Sequence, residues 1–210
     1  MLKEVLMPKT SSEYAVYDLY QYLNIRYPDE IDLDLVAEAC HIEVIRQYER
    51  SRTMTHPERR GWMLIQVDAS LSDAEQRERL AHEIFHCLIH AGDQLQLPIP
   101  FVELQEAQAQ AGAAHLLMPL WMLNSLYLPS NREGLIHFLA DTFKVTLDFS
   151  KRRVGLIERR LMDQQIRQEI AASRIAERQV QYDWILHQDN RTLLIRRGKG
   201  IVKVFRDEYA

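Results

Sequence analysis

At 210 residues with 47% hydrophobic content, the chain can bury a sizeable core in one domain plus an appendage. A formal net charge of -4 and an isoelectric point near 6.1 argue against a general nucleic-acid surface, and no run of about 18 apolar residues exists to cross a bilayer. The first residues lack a secretory pattern, and two cysteines far apart in sequence, Cys40 and Cys87, suit free thiols in a reducing compartment. The expectation is a cytoplasmic protein with no membrane association.

Val16, Leu19, Tyr20 and Leu23 fall at i, i+3, i+4 and i+7, which predicts a first amphipathic helix over Ser12–Ile25, stopped before Pro28. A short second helix, Asp32–Cys40, should turn Leu35, Val36 and Ala39 inward. Ile42–Tyr48 and Gly61–Val67 read as strands separated by a polar loop, Glu49–Arg60. Trp62–Val67, leading into the next helix, is the best candidate for a sheet whose free edge could hold a peptide by backbone hydrogen bonds. Which strand forms that edge cannot be read from the pattern.

Ser72-Asp73-Ala74-Glu75 is a capping box opening a helix from Asp73 to about Ala91, with Leu80, Ile84, Cys87 and Leu88 as its apolar stripe and Gly92 as its stop. On it lies His82-Glu83-Ile84-Phe85-His86. Residues four apart lie one above the other on a helix, so both imidazoles can reach one zinc ion at about 2.0 Å. Glu83 then leans toward the open side of the metal, where it can take a proton from a bound water. Cys87 points about 100° away from His86, which suits packing better than ligation.

A catalytic zinc site needs three protein ligands and an open position. Phe101–Met118, rich in Ala and Gln and closed by Pro119, reads as a second helix that the Gly92–Pro100 loop can bring back antiparallel. It carries two carboxylates, Glu103 and Glu106, on one face. Ala107, Ala109, Ala111, Gly112, Ala113 and Ala114 let it pack closely on the motif helix. His90 and Glu103 are rivals to Glu106 as third ligand; His115 falls on the opposite side of its helix, and Gln110 either orients a ligand or is a solvated amide.

The run Leu80-Ala81-His82-Glu83-Ile84-Phe85-His86, taken with Glu106 and the downstream Leu116-Leu117-Met118-Pro119, resembles the ImmA/IrrE family of bacterial zinc metallopeptidases. In that family an AHExxH helix is followed by a glutamate ten residues before an LLMP signature. The resemblance spans about residues 30 to 160. It implies one zinc ion per chain held by His82, His86 and Glu106, Glu83 as general base, and a narrow protein substrate. That substrate is typically a helix-turn-helix transcriptional repressor, whose cleavage relieves repression in a mobile element or a stress response. Phe85 stands where a small residue is common in the family, and Gln110 where Asn is frequent. Tyr127, His115 and His137 are side chains that could stabilise the oxyanion, with no spacing that singles one out.

Beyond Pro119, Leu120–Leu128 and Arg132–Phe143 read as helices, and residues 139 to 150 resemble a helix-turn-helix with Thr146 as N-cap of its second helix. Lys151, Arg152, Arg153, Arg159 and Arg160 would be the phosphate contacts of a DNA-binding module. Glu158, Asp163 and Glu169 balance them, so direct DNA binding is not expected. A charge-laced helix follows from about Ser150 to Gln181. Trp184–His187, Leu193–Arg196 and Ile201–Phe205 then read as a small antiparallel meander, punctuated by Asp189-Asn190 and Gly198-Lys199-Gly200.

The fold class is therefore α+β: a zincin-like core over residues 1–119, a helical helix-turn-helix-like subdomain packed on it over 120–180, and a β appendage over 181–210. The function expected is that of a zinc-dependent endopeptidase. The alternative is a non-catalytic zinc-binding or DNA-binding regulator that acts by binding a partner.

Overall fold

The computed structural model describes residues 10–89, 98–181, 184–188, 191–196 and 200–206. His90, the Gly92 stop, most of the Gly92–Pro100 loop, and the Asp189-Asn190 and Gly198-Lys199 turns lie outside the described residues. The remainder is a mixed α+β structure with six α-helices and two three-stranded sheets among the described residues.

Helix α1 (Ser11–Tyr22) begins at Thr10, whose hydroxyl accepts from the Glu13 amide while the Glu13 carboxylate accepts from the Thr10 amide. It buries Val16 and Tyr20. Helix α2 (Leu33–Ala39) starts one residue later than the periodicity suggests, because the Asp32 carboxylate caps the amides of Asp34 and Leu35. That phase buries Leu33, Val36 and Ala37; of the three residues expected inward Val36 is buried, whereas Leu35, 44% exposed, and Ala39 face out.

Strands β1 (Ile42–Gln47), β2 (Arg52–Thr55) and β3 (Met63–Asp68) form one sheet in the order β1-β3-β2. β1 runs parallel to β3 with Ile42 opposite Met63, and β2 runs antiparallel to it with Thr53 opposite Ile65. The strand read from the sequence as leading into the motif helix is thus the central one. The segment read as a polar loop supplies the edge strand β2, and polar side chains there are what an exposed sheet edge tolerates.

Helix α3 (Asp73–Ile89) opens on the Ser72–Glu75 capping box and buries Leu80, Ala81, Ile84 and Phe85. Leu88, placed in the inner stripe by periodicity, is 42% exposed. Helix α4 (Ile99–Leu117) packs on α3, where Gly112 meets Phe85, and buries Ala109 and Ala113. A Cβ at Gly112 would sit 2.0 Å from Cγ of Phe85, so the glycine makes the room that the phenyl ring fills. A phenylalanine on the motif helix is matched by the absence of a side chain opposite it.

Leu120–Ser125 is a 3-10 segment rather than an α-helix. Helix α5 (Arg132–Phe143) is capped by Asn131 and ends at Lys144 in the left-handed region, φ 53. Helix α6 (Leu147–Gln181) starts at Thr146, whose hydroxyl accepts from the Phe149 amide and whose own amide donates to Glu78 on α3 at 2.7 Å. The cap predicted at Thr146 is present. Arg153, placed among the phosphate contacts by the sequence, is instead 3% exposed: its guanidinium donates to the Met118 carbonyl that ends α4, at 2.9 Å, and to Nδ1 of His115.

By its contacts the chain divides between Ile157 and Glu158, within α6. The first unit carries β1 to β3 and everything described below as the site. The second carries the remainder of α6 and an antiparallel meander of β4 (Trp184–Gln188), β5 (Arg191–Arg196) and β6 (Gly200–Arg206). No described helix is long and apolar enough to cross a membrane.

Candidate metal centre

Helix α3 carries His82 and His86 one turn apart, and antiparallel packing of α4 lays Glu106 against them. His82 Nε2 and His86 Nε2 are 2.9 Å apart. The Glu106 carboxylate spans both, with Oε2 3.3 Å from His82 Nε2 and Oε1 3.2 Å from His86 Nε2. Among the described residues these three form a donor group that could hold a metal ion, with all donor atoms within 4.8 Å of one another. An ion at about 2.0 to 2.2 Å from each in tetrahedral geometry would hold its donors roughly 3.3 Å apart, so the set has the right spacing for zinc.

The electrostatics agree with that fit. Burial pushes the His86 imidazole below its ordinary value, the facing His82 pushes it the same way, and Glu106 and Glu83 oppose this. A neutral imidazole presents a lone pair, which is the form a metal binds. The two histidine side chains are only 13% and 12% exposed, whereas Glu106 is 41% exposed, so the cluster opens on the carboxylate's side.

Glu83 lies on the same helix and stays outside the donor cluster. Its Oε2 accepts a hydrogen bond of 2.7 Å from the hydroxyl of Thr53 on β2. Sequence reasoning missed Thr53 because it placed the residue in a loop; the β-branched Thr53 and Thr55 were the signal of a strand there. Cys87 neighbours the same hydroxyl, and burial pushes its thiol up to about 11. It is not among the clustered donors, and both cysteines are free thiols.

Glu103 is exposed on α4 and takes no part in the cluster. His115 is packed against Arg153, with Nδ1 3.9 Å from the buried Glu13. Of the three oxyanion candidates, Tyr127 is 99% exposed and His137 is exposed on α5, and none of Tyr127, His137 and His115 lines the cleft that adjoins the cluster. That cleft, of about 680 Å³, opens beside His82 and Glu106. Glu75, Glu78 and Arg79 of α3 form one wall, Ala107, Gln110 and Ala111 of α4 another, and Phe149, Arg152 and Leu156 of α6 the third. Four of the small residues of α4, Ala107, Ala111, Ala113 and Ala114, line this cleft.

Residues 37–154 match the IrrE N-terminal-like domain, Peptidase_M78. The chain belongs to this peptidase family. The match contains the whole donor cluster, Glu83 and Thr53, and it ends within the first structural unit, so the meander β4 to β6 lies outside the family domain. Among curated relatives, the chain is 33% identical over 159 residues to the phage-like element PBSX protein XkdA of Bacillus subtilis strain 168, covering 76% of this chain and 79% of the relative. It is 29% identical over 146 residues to the uncharacterized protein YqaB of the same strain, covering 70% of this chain and 83% of that one. As a member of the ImmA/IrrE family, the chain carries both parts of the family's paired signature: the His82–His86 helix and the Glu106-to-Pro119 segment.

Proposed function

We propose that this protein is a zinc-dependent endopeptidase with a zincin-like core, in which His82, His86 and Glu106 hold the metal and Glu83 is the general base. The observation that carries the reading is the convergence of two imidazoles and a carboxylate at zinc-like spacing, in a member of a peptidase family. Zinc bound there would polarise a scissile carbonyl and lower the pKa of a bound water toward about 7. Glu83 would accept the proton of the attacking water and pass it to the leaving amine. Thr53 already occupies Oε2 of that carboxylate, which leaves Oε1 for the proton. Beside the base, β2 offers an edge to which an extended peptide can add, and the cleft beside His82 can receive side chains.

The substrate we propose is a helix-turn-helix transcriptional repressor in the cytoplasm, cut once so that repression is relieved. The similarity to a protein of a phage-like element supports a mobile-element setting for that step. A peptidase sharing a compartment with many other proteins must discriminate strongly, and an edge strand supplies specificity where side-chain pockets fit.

The test uses zinc-loaded wild type, Glu83→Gln and Glu106→Ala, each incubated with the repressor encoded beside the gene, with a chelator control and fragments weighed by mass spectrometry. Wild type should give one zinc-dependent cut. Glu83→Gln should keep one zinc per chain and give none, because an amide cannot take the proton; Glu106→Ala should lose most of its zinc. Full zinc occupancy in Glu106→Ala would overturn the ligand assignment. Equal, tight repressor binding by wild type and Glu83→Gln, with no fragment from either, would overturn the peptidase reading in favour of a binding protein.

A further inference from the structure

Glutamate is a flexible side chain, and freezing it costs rotamer freedom, so a general base works well only if something else holds it. Glu83 is half-buried at the junction of α3 and β2. The contact that reaches it from another element is the 2.7 Å bond from Thr53 Oγ1, an O–H donor to a carboxylate and so of the charge-assisted kind. Thr53 is opposite Ile65 in the β2–β3 ladder, and Ile65 is fully buried. Cross-strand partners share a face of the sheet, so register aims Thr53 at α3 and turns Arg52 and Met54 to the other face. A slip of one residue would withdraw the hydroxyl.

We infer that Thr53 is a positioning residue that fixes the Glu83 carboxylate for proton transfer, and that it ties the general base to the edge strand on which an extended substrate would seat. The inference rests on the peptidase reading above. A threonine has one O–H, and here it is spent on Glu83 Oε2, which leaves the second carboxylate oxygen outside that bond. Because β2 is an edge strand, a peptide adding to it would brace the strand that carries the hydroxyl. Substrate seating and alignment of the base then depend on one short segment, Arg52–Thr55.

Two variants separate a positioning role from a structural one. Thr53→Val keeps the shape and β-branching and removes the hydroxyl; Thr53→Ser keeps the hydroxyl. Both are loaded with zinc, assayed for metal content and crystallised, and their kcat and KM are measured on the neighbouring repressor. Thr53→Val should hold one zinc per chain, show Glu83 displaced from its wild-type orientation, and lose about ten- to hundredfold in kcat, the range for a lost hydrogen bond to a charged group, with KM changed less than about threefold. Thr53→Ser should restore kcat to within about threefold of wild type and return Glu83 to its place. Unchanged kcat in Thr53→Val, equal losses in the two variants, or an undisturbed Glu83 in the Thr53→Val crystal would overturn the inference while leaving the peptidase reading intact. A wild type that cuts nothing would overturn the peptidase reading, and with it the role assigned to Thr53.

Discussion

Substituting Gly112 by alanine tests whether the α3–α4 seam sets both stability and metal geometry. In an open helix position the change would stabilise by about 1 kcal/mol, because alanine is the better helix former. Here the new Cβ would lie 2.0, 2.1 and 2.2 Å from three ring carbons of Phe85, against the ~3.5 to 4.0 Å at which carbon atoms come to rest. The ring is 1% exposed and cannot swing into solvent, so the helices must part or the ring must leave its rotamer. Overpacking of this kind costs about 1 to 3 kcal/mol, and a clash this deep belongs at the upper end. Net of the propensity gain, Gly112→Ala should destabilise the fold by about 2 kcal/mol.

Metal affinity should fall with it. Phe85 is flanked in the helix by the two histidines, and Glu106 shares α4 with Gly112; parting the helices stretches contacts that now stand at 3.2 and 3.3 Å, whereas zinc tolerates about ±0.2 Å in its bonds. Phe85→Ala alone should cost about 3 to 5 kcal/mol through the cavity it leaves. The double variant Phe85→Ala/Gly112→Ala should be less destabilised than the sum, with a coupling of at least about 1 kcal/mol, because the methyl group introduced on α4 occupies space the ring vacated. Urea unfolding of the metal-free proteins and competition titration of zinc measure both effects. A neutral or stabilising Gly112→Ala, or strict additivity in the double variant, would refute the reasoning.

Arg153→Met should destabilise by about 2 to 4 kcal/mol in equilibrium unfolding, since it removes the buried guanidinium that donates to the Met118 carbonyl and to His115. Arg153→Lys should recover only part of this, because one ammonium cannot reproduce the forked contact. Cys87, pushed from 9.0 up to about 11, is the protonated thiol at pH 8. That rise leaves about a hundredfold less thiolate, partly offset by the greater nucleophilicity of a more basic thiolate, so iodoacetamide at about pH 8 should label Cys87 at least about ten times more slowly in the folded protein than in urea, read by mass spectrometry.

What the sequence made legible is local. The Ser72–Glu75 box and the Thr146 cap announce helix starts because each is a side chain bonding a backbone amide three residues away, and both are found where the pattern puts them. The choice between Glu103 and Glu106 was not written in the spacing, since both share a face of the helix; the structure leaves Glu103 exposed and sets Glu106 against both histidines. Strand β2 was hidden for another reason. An exposed edge of four residues needs no hydrophobic alternation, and its identity is conferred by β3, which pairs with it. Leu35 and Leu88 misled because periodicity counts apolar residues without knowing where the neighbouring element lies.

The helix-turn-helix pattern shows the same gap between connectivity and orientation. Its turn is present, with Lys144 in the left-handed region and Thr146 capping α6, yet the turn is fastened to the motif helix by the Thr146 amide on Glu78. Of the five basic residues that suggested a phosphate-binding face, Arg153 points inward and closes the end of α4, and Arg152 lines the cleft above Phe149. The pattern of helix, turn and basic residues is the same whether the second helix reads a duplex or braces a neighbouring helix. The difference lies in which side chains the partner elements bury, and here the buried guanidinium ties the start of α6 to the helix that carries Glu106. Damage at Arg153 should therefore reach the metal cluster through α4, as loss of zinc affinity alongside loss of stability.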